Sequence, residues 1–268
     1  MSWFEAIILG LIQGLTEFLP VSSSGHLIIA KEFLGIETHD LAFEVVVHAA
    51  TVLSTIVVFR KSIWELLRGL FEFKYNEPTR YILLILVSMV PVMIVGFFFK
   101  DYVEKLFGSG LLVVGLALMG TSFLLTLSER IKPRKSSDSE QSHSIGWKAA
   151  IWMGVAQAVA VIPGLSRSGS TIATGLICGV SREQVTRFSF LMVLIPVLGE
   201  AFLEFVGGGF AASSTAGELE LLLGFAAAFL SGIFACKVMI AIVKKARLKW
   251  FALYCAIAGI ACIVANMF

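Results

Sequence analysis

The feature that most constrains this chain is a series of long apolar segments, two of which are interrupted by helix-breaking residues. A helix needs about 20 apolar residues to cross a bilayer. Six uninterrupted segments approach that length, at roughly 41–59, 80–99, 108–127, 185–206, 219–243 and 248–268. The chain has 57% hydrophobic and 15% charged residues, a composition that excludes an ordinary soluble domain. Its net charge of +2 does not favour nucleic acid as a partner. The sequence predicts an all-α polytopic integral membrane protein.

The two interrupted segments, about 3–34 and 147–180, concentrate polar residues at their centres. The first contains LPVSSSG at 19–25, and the second contains IPGLSRSG at 162–169. Proline removes a backbone donor and ends a helix, while serine and glycine favour caps and turns. Each segment is therefore predicted to form two half-helices joined by a polar loop.

The two interruptions resemble each other when the sequence is shifted by 144 residues. Six of the identities that result pair Gly10 with Gly154, Gln13 with Gln157, Ser22 with Ser166, Ser24 with Ser168, Gly25 with Gly169 and Gly35 with Gly179. Chance similarity between apolar segments is the alternative explanation. We interpret the match as an internal repeat, with halves at 1–131 and 147–268 joined by a polar cytoplasmic connector at 132–146.

The distribution of Lys and Arg predicts how the segments cross the membrane, because cytoplasmic loops carry the excess. If both broken segments cross completely, the basic residues show no bias between the two sides. If each instead enters and returns to its own side, one side receives 17 basic residues and the other only Lys31, Lys100 and Lys105. We therefore expect both broken segments to be re-entrant hairpins.

This topology gives each half one re-entrant hairpin followed by three transmembrane helices, so the halves are inverted relative to each other. Both termini then lie on the non-cytoplasmic side. The first hairpin enters from outside and the second from the cytoplasm, so their loops are expected to meet near the midplane. Inverted repeats with interrupted helices around a midplane site are typical of many transporters.

The first loop carries a set of polar groups suited to binding an anion. Gln13 and Glu17 lie four residues apart and share one helix face just before the break. The hydroxyls of Ser22, Ser23 and Ser24, with Gly25, precede the next half-helix, whose free N–H groups favour anions, and His26 follows directly.

The second loop supplies a matching set. Arg167 lies between Ser166 and Ser168, and Gly169 and Thr171 begin the next half-helix. The planar guanidinium of arginine suits phosphate oxygens. Together the loops predict a phosphate-handling site inside the membrane.

Each residue also has a structural interpretation. In this interpretation the serines are helix caps, His26 is an interfacial histidine and Gln13 is a helix–helix hydrogen-bonding residue. Arg167 alone would serve to neutralise Glu17 in a buried pair. Glu44 and His48 are candidates for supporting this site, while Glu200 and Glu204 are expected near a helix end. The four cysteines are expected to fill the core.

Two stretches match the motifs of a known family. QGLTEFLPVSSSGH at 13–26 resembles the (E/Q)xxxE region of the bacterial undecaprenyl-diphosphate phosphatase family, often called bacitracin-resistance proteins, and PGLSRSGST at 163–171 resembles its PGxSRSxxT motif. The resemblance covers essentially the whole chain. It implies hydrolysis of undecaprenyl diphosphate to the monophosphate, which recycles the lipid carrier of cell-wall synthesis and confers bacitracin resistance.

The resemblance also implies roles for individual residues. Gln13 and Glu17 fill the (E/Q)xxxE pair beside a divalent cation, Mg²⁺ or Ca²⁺, and His26 is the associated histidine. Ser23 matches the proposed nucleophile, and Arg167 and Thr171 match the phosphate-binding pair. Some members carry Glu at the position of Gln13, and an amide is a weaker ligand for a hard cation than a carboxylate.

The resemblance places the protein in the bacterial inner membrane, with its site open to the periplasmic or extracellular side, and leaves a homodimer open. In one mechanism His26 activates Ser23 for attack on phosphorus. In the other, His26 or Glu17 activates water and Ser23 only binds. A polyprenyl-phosphate flippase is the alternative function, because the architecture suits transport equally well.

Overall fold

The structure, a computed structural model, describes residues 1–36, 41–107, 110–131, 144–199, 216–245 and 248–267. Within these ranges the chain is helical and contains no strand. The first half contains α1 (Trp3–Phe18), α2 (Ser23–Leu34), α3 (Leu41–Leu70), α4 (Glu77–Phe98), α5 (Lys100–Phe107) and α6 (Gly110–Arg130). The second half contains α7 (Trp147–Val159), α8 (Arg167–Ile177), α9 (Arg182–Met192), α10 (Glu218–Lys245) and α11 (Lys249–Ala265).

Four of these helices are long and apolar enough to cross a membrane: α3, α4, α6 and α10. They coincide with four of the six predicted spans. A fifth predicted span corresponds to α11, an apolar helix of 17 residues. The protein is therefore a helical multi-pass membrane protein.

The predicted span at 185–206 differs from the observed structure. Helix α9 begins at Arg182 and ends at Met192, a turn follows at Val193, and the chain is helical again over 194–199. The remainder of that span, with Glu200 and Glu204, lies outside the described residues, as does most of the 132–146 connector.

Both broken segments contain the predicted pair of half-helices. The four half-helices, α1, α2, α7 and α8, contain 16, 12, 13 and 11 residues. Each is shorter than the roughly 20 residues that a span requires. Ser22 caps α2 by accepting from the backbone N–H of Gly25, and Ser166 caps α8 by accepting from that of Gly169. The two second half-helices therefore begin with the same cap at equivalent positions.

The first half-helix of each broken segment packs against a long helix of the other half. Helix α1 lies along α10, and α7 lies along α4. A Cβ atom added at Gly10 would lie 2.3 Å from the carbonyl oxygen of Gly224, and one at Gly154 would lie 2.3 Å from that of Ser88. Only glycine permits such an approach, so two glycines at equivalent positions make equivalent contacts.

The cysteines only partly follow the prediction that they fill the core. Cys236, Cys255 and Cys262 are buried, but Cys178 is exposed at the carboxyl end of α8. None of the four forms a disulfide.

Candidate active site

The loops of the two broken segments contact each other. The hydroxyl of Ser168 donates to the carbonyl oxygen of Leu19 at 3.0 Å, and the N–H of Gly164 points to Oγ of Ser24 at 3.5 Å. A Cβ atom at Gly25 would lie 3.0 Å from Cα of Gly164. Residues 139 to 149 positions apart in the sequence therefore face one site.

The turn that precedes Ser23 has a strained backbone. Ser22 has a φ of 72°, a left-handed value that a residue with a side chain rarely adopts. Several hydrogen bonds hold it there. Its Oγ accepts from the N–H of Gly25 at 3.2 Å and lies 3.3 Å from Oγ of Ser24, and its carbonyl oxygen accepts from Nδ1 of His26 at 2.7 Å. Strain of this kind persists only where the surroundings enforce it, and it is frequent at functional sites.

Glu17 lies at the centre of the site. Its Oε2 accepts from Nε2 of Gln13 at 2.9 Å and from the hydroxyl of Ser23 at 2.5 Å, and Nε2 of His48 lies 3.9 Å away. Its Oε1 lies 3.8 Å from Nη2 of Arg167. The carboxyl group is 11% exposed, so these donors and the nearby guanidinium compensate for most of its lost solvation.

Arg167 is the first residue of α8, and its side chain remains 30% exposed. The preceding residue is anchored from a third element, because the N–H of Ser166 donates to Oγ1 of Thr121 on α6 at 3.0 Å. The ion pair with Glu17 that the sequence suggested is present as one contact of 3.8 Å. The same guanidinium also lines the cleft described next.

A cleft of about 260 Å³ brings together most of the residues predicted for the site. Its lining consists of Glu17, Ser22, Ser23, Ser24, Ala160, Leu165, Ser166, Arg167 and Ser168. An adjoining cavity of about 370 Å³ shares Glu17, Arg167 and Ser168 and extends to Thr51, Thr55 and Ser189. A cleft lined by hydroxyls, one arginine and one carboxylate has the donors that a phosphate group requires and a base beside them.

Some residues predicted for the site lie beside the cleft rather than in its lining. Gly25 and Gly169 donate their N–H groups to the capping serines. Thr171 is buried, and its Oγ1 lies 2.6 Å from Oγ of Ser189 and 2.9 Å from the carbonyl oxygen of Arg167. Its hydroxyl is therefore engaged by the helix and by α9.

His26 is not hydrogen-bonded to Ser23. Its Nδ1 is bonded to the carbonyl oxygen of Ser22, and its Nε2 lies 2.6 Å from the phenol oxygen of Tyr254. The group that accepts a hydrogen bond from the Ser23 hydroxyl in this structure is Glu17.

The sequence motifs did not identify several neighbours of the site. Thr121, Ser189 and Tyr254 come from separate helices, and no local pattern distinguishes them from other polar residues in apolar segments. His48 had a signal, an imidazole in an apolar helix four residues after Glu44. Its Nδ1 donates to the carbonyl oxygen of Glu44, and the Glu44 carboxylate pairs with Lys31.

The fit of a divalent cation depends on Glu17 and Gln13. The described residues contain no group of three or more His, Cys, Asp or Glu side chains that could hold a metal. Oε1 of Gln13 is buried without a hydrogen-bond partner, one turn from the carboxylate. Mg²⁺ is often bound by one or two carboxylates together with substrate phosphates. The residues therefore fit a cation that the substrate helps to hold, and not a metal cage built by the protein alone.

The fold and the cleft define a class: a multi-pass helical membrane protein with a cleft lined by serines, an arginine and a glutamate where the loops of two broken segments meet. Over residues 6–261 the chain matches the family described as "Bacitracin resistance protein BacA", and it belongs to that family. A protein of Bacteroides fragilis named undecaprenyl-diphosphatase is 55% identical over 269 residues, which cover 99% of both chains. Proteins of the same name from Parabacteroides distasonis and Bacteroides thetaiotaomicron are 55% and 54% identical, and both alignments cover all of this chain.

Proposed function

We propose that this protein is an undecaprenyl-diphosphatase, a hydrolase that converts undecaprenyl diphosphate and water into undecaprenyl phosphate and inorganic phosphate. Membership of the BacA family and the names of relatives that match over the full length support this function. The structural observation that carries it is the Ser23 hydroxyl, which donates to Glu17 in a cleft that also contains Arg167.

In the first step, the Ser23 oxygen attacks the terminal phosphorus. Glu17 Oε2, which already accepts from this hydroxyl, takes the proton. The bond between the terminal phosphorus and the bridging oxygen breaks, undecaprenyl phosphate leaves and phosphoserine remains. Arg167 and the N–H groups at the start of α8 hold the phosphoryl oxygens, because positioning and charge stabilisation dominate phosphoryl transfer.

In the second step, water attacks the phosphorus of the phosphoserine, and the protons of this water leave with the phosphate that forms. The Ser23 oxygen leaves and regains its proton from Glu17, and inorganic phosphate is released. In the competing route, Glu17 takes a proton from water directly, and Ser23 only binds the terminal phosphate. Both routes need the same cleft, and they differ in whether a phosphoenzyme forms.

A divalent cation, Mg²⁺ or Ca²⁺, is part of this proposal. Glu17 and Oε1 of Gln13 would hold it next to the phosphates of the substrate, as the unpartnered amide oxygen suggests. The bound cation would offset the negative charge of the diphosphate.

We also propose that the two halves are inverted repeats, that the broken segments are re-entrant and that the cleft opens to the outside of the bacterial inner membrane. The reciprocal packing of α1 on α10 and of α7 on α4 supports the repeat. The shortness of the four half-helices and the 17-to-3 distribution of basic residues support re-entry.

The test is phosphate release by the purified, detergent-solubilised protein from undecaprenyl diphosphate and Mg²⁺. Phosphate release is expected from the wild type, and Ser23→Ala should lower it by at least about 100-fold if the serine is the nucleophile. Radiolabel from the terminal phosphate should be trapped on the acid-quenched wild type. A nearly active Ser23→Ala variant would favour direct attack by water. No release together with lipid transport in vesicles would favour the flippase.

A further inference from the structure

Both ring nitrogens of His26 are engaged by the protein. Nδ1 lies 2.7 Å from a carbonyl oxygen, that of Ser22, which can only accept, so Nδ1 carries the proton. With Nδ1 protonated, Nε2 of the neutral ring is an acceptor, and the phenol of Tyr254 donates to it at 2.6 Å. The two rings are also stacked, with centroids 5.6 Å apart and planes at 13°.

The residue that His26 holds is the strained one. Ser22 has its φ of 72° next to Ser23, whose hydroxyl contacts Glu17. The Ser22 carbonyl also accepts from the backbone N–H of His26 at 3.2 Å, and the shorter bond from His26 Nδ1 adds a second restraint on the orientation of the Ser22–Ser23 peptide unit. Any rotation of that unit would move the Ser23 hydroxyl relative to Glu17, and small displacements of a reacting group are costly in rate.

Tyr254 comes from the other half of the chain. It lies on α11, which packs along α6, and its side chain is 47% exposed. The next residue also reaches the first loop, since Sγ of Cys255 lies 3.5 Å from the carbonyl oxygen of Pro20. Helix α11 therefore contacts the loop around Ser22 at two points. Cys255 reaches the Pro20 carbonyl, and the phenol of Tyr254 is hydrogen-bonded to His26.

We propose that Tyr254 is a positioning residue for Ser23, acting through His26 and the backbone of Ser22. The phenol fixes the imidazole, the imidazole fixes the strained turn, and the turn holds the Ser23 hydroxyl on Glu17. Tyr254 does not contact the reacting atoms. This proposal rests on the proposed function in one respect: it is tested by measuring the hydrolysis of undecaprenyl diphosphate.

The first test is Tyr254→Phe, which keeps the stacked ring and removes one hydrogen bond. Because one such bond is worth about 1 kcal/mol, kcat should fall about fivefold, while KM should stay within about twofold. Tyr75→Phe is the matched control, because Tyr75 is 71% exposed between α3 and α4, and it should behave as wild type. Unchanged kcat for Tyr254→Phe would overturn the proposal.

A double-mutant cycle separates positioning from a general loss of stability. In a His26→Ala background, Tyr254→Phe should cause no further loss of kcat, because the link is already broken. The same fivefold loss in both backgrounds would overturn the proposal. His26→Asn, whose amide can still donate to the Ser22 carbonyl, should retain more activity than His26→Ala and be insensitive to Tyr254→Phe.

The outcomes also separate this proposal from the proposed function. Failure of the wild type to release phosphate contradicts the function itself. A wild-type kcat for His26→Ala with normal hydrolysis leaves the function standing and overturns the link from Tyr254 to Ser23. Thermal unfolding of each purified variant, expected to stay close to that of the wild type, shows that any loss of kcat comes from the site.

Discussion

Glu17 supplies the carboxylate in the lining of the cleft, and the residues around it explain how a buried charge is tolerated there. A buried charge is costly unless donors or an opposite charge compensate for the lost water. Gln13 and Ser23 donate to one oxygen, and Arg167 approaches the other. The same donors that stabilise the charge also place it against the hydroxyl it is proposed to activate.

Glu17→Gln tests this role directly. The amide has nearly the same shape but cannot take the Ser23 proton, so kcat should fall by about 10²- to 10⁴-fold, the usual contribution of a general base. The measurement is steady-state phosphate release with undecaprenyl diphosphate. Glu32→Gln is the matched control, since Glu32 is exposed on α2, and it should leave kcat unchanged. A Glu17→Gln variant within tenfold of wild type would contradict the assignment of the base.

The residues of the cleft were predictable where they are contiguous in the chain. Ser22, Ser23 and Ser24 lie in one loop, and Ser166, Arg167 and Ser168 lie in the other. The sequence of each loop therefore predicts the residues that this loop contributes to the cleft. The partner of Ser23 was not predictable, because Glu17, six residues before it, and His26, three residues after it, can both accept its proton. Side-chain direction decides between them, and it depends on the turn at Ser22 and on Tyr254 from α11.

The half-helices depend on tight packing as well as on their caps. They are too short to span the bilayer, so their position relative to the other helices is set by side contacts. Gly10 permits the approach of α1 to α10, and Gly154 permits that of α7 to α4. A methyl group at either position would meet a backbone carbonyl, which cannot rotate away as a flexible side chain can.

Gly154→Ala should therefore destabilise the protein despite the higher helix propensity of alanine. Overpacking against the Ser88 backbone is expected to lower the free energy of unfolding by about 1–3 kcal/mol, measured by thermal or denaturant unfolding in detergent. Gly96→Ala is the control in α4, because no atom lies within 4 Å of a Cβ added there. That variant should be stabilised by about 0.5–1 kcal/mol. A Gly154→Ala variant as stable as Gly96→Ala would mean that the close approach of α7 to α4 is not maintained.

For the whole molecule, the helical membrane class was predictable because apolar length and charge are properties of whole segments. Four spans follow directly from hydropathy. Finer features were not. Helix α9 ends at Met192 within a segment that looks continuous, and the charged residues from Lys100 onwards mark the end of α4 but do not predict that the short α5 is helical. Helix ends within apolar sequence depend on tertiary contacts, which hydropathy alone does not contain.

The sidedness of Cys178 gives the most direct test of the proposed topology. It lies at the carboxyl end of α8 and is exposed, whereas Cys236, Cys255 and Cys262 are buried. If segment 147–180 is re-entrant, Cys178 and the start of α7 lie on the cytoplasmic side. A membrane-impermeant maleimide should then label Cys178 in inverted vesicles and not in intact cells. Lys148→Cys in a Cys178→Ser background should give the same pattern, and Ser2→Cys in that background the opposite one.

The re-entrant model and the fully crossing model of segment 147–180 predict different results when the labelling of Cys178 is compared with that of a cysteine at position 148. A segment that crosses the membrane completely would place its two ends on opposite sides, so the two reporters would be labelled from different faces. That result would contradict the re-entrant hairpin, and Cys178→Ser alone should abolish the signal if the buried cysteines do not contribute. Labelling of both reporters from the cytoplasmic face would instead support the arrangement in which the second hairpin carries Arg167 to Glu17 from the side opposite to the first.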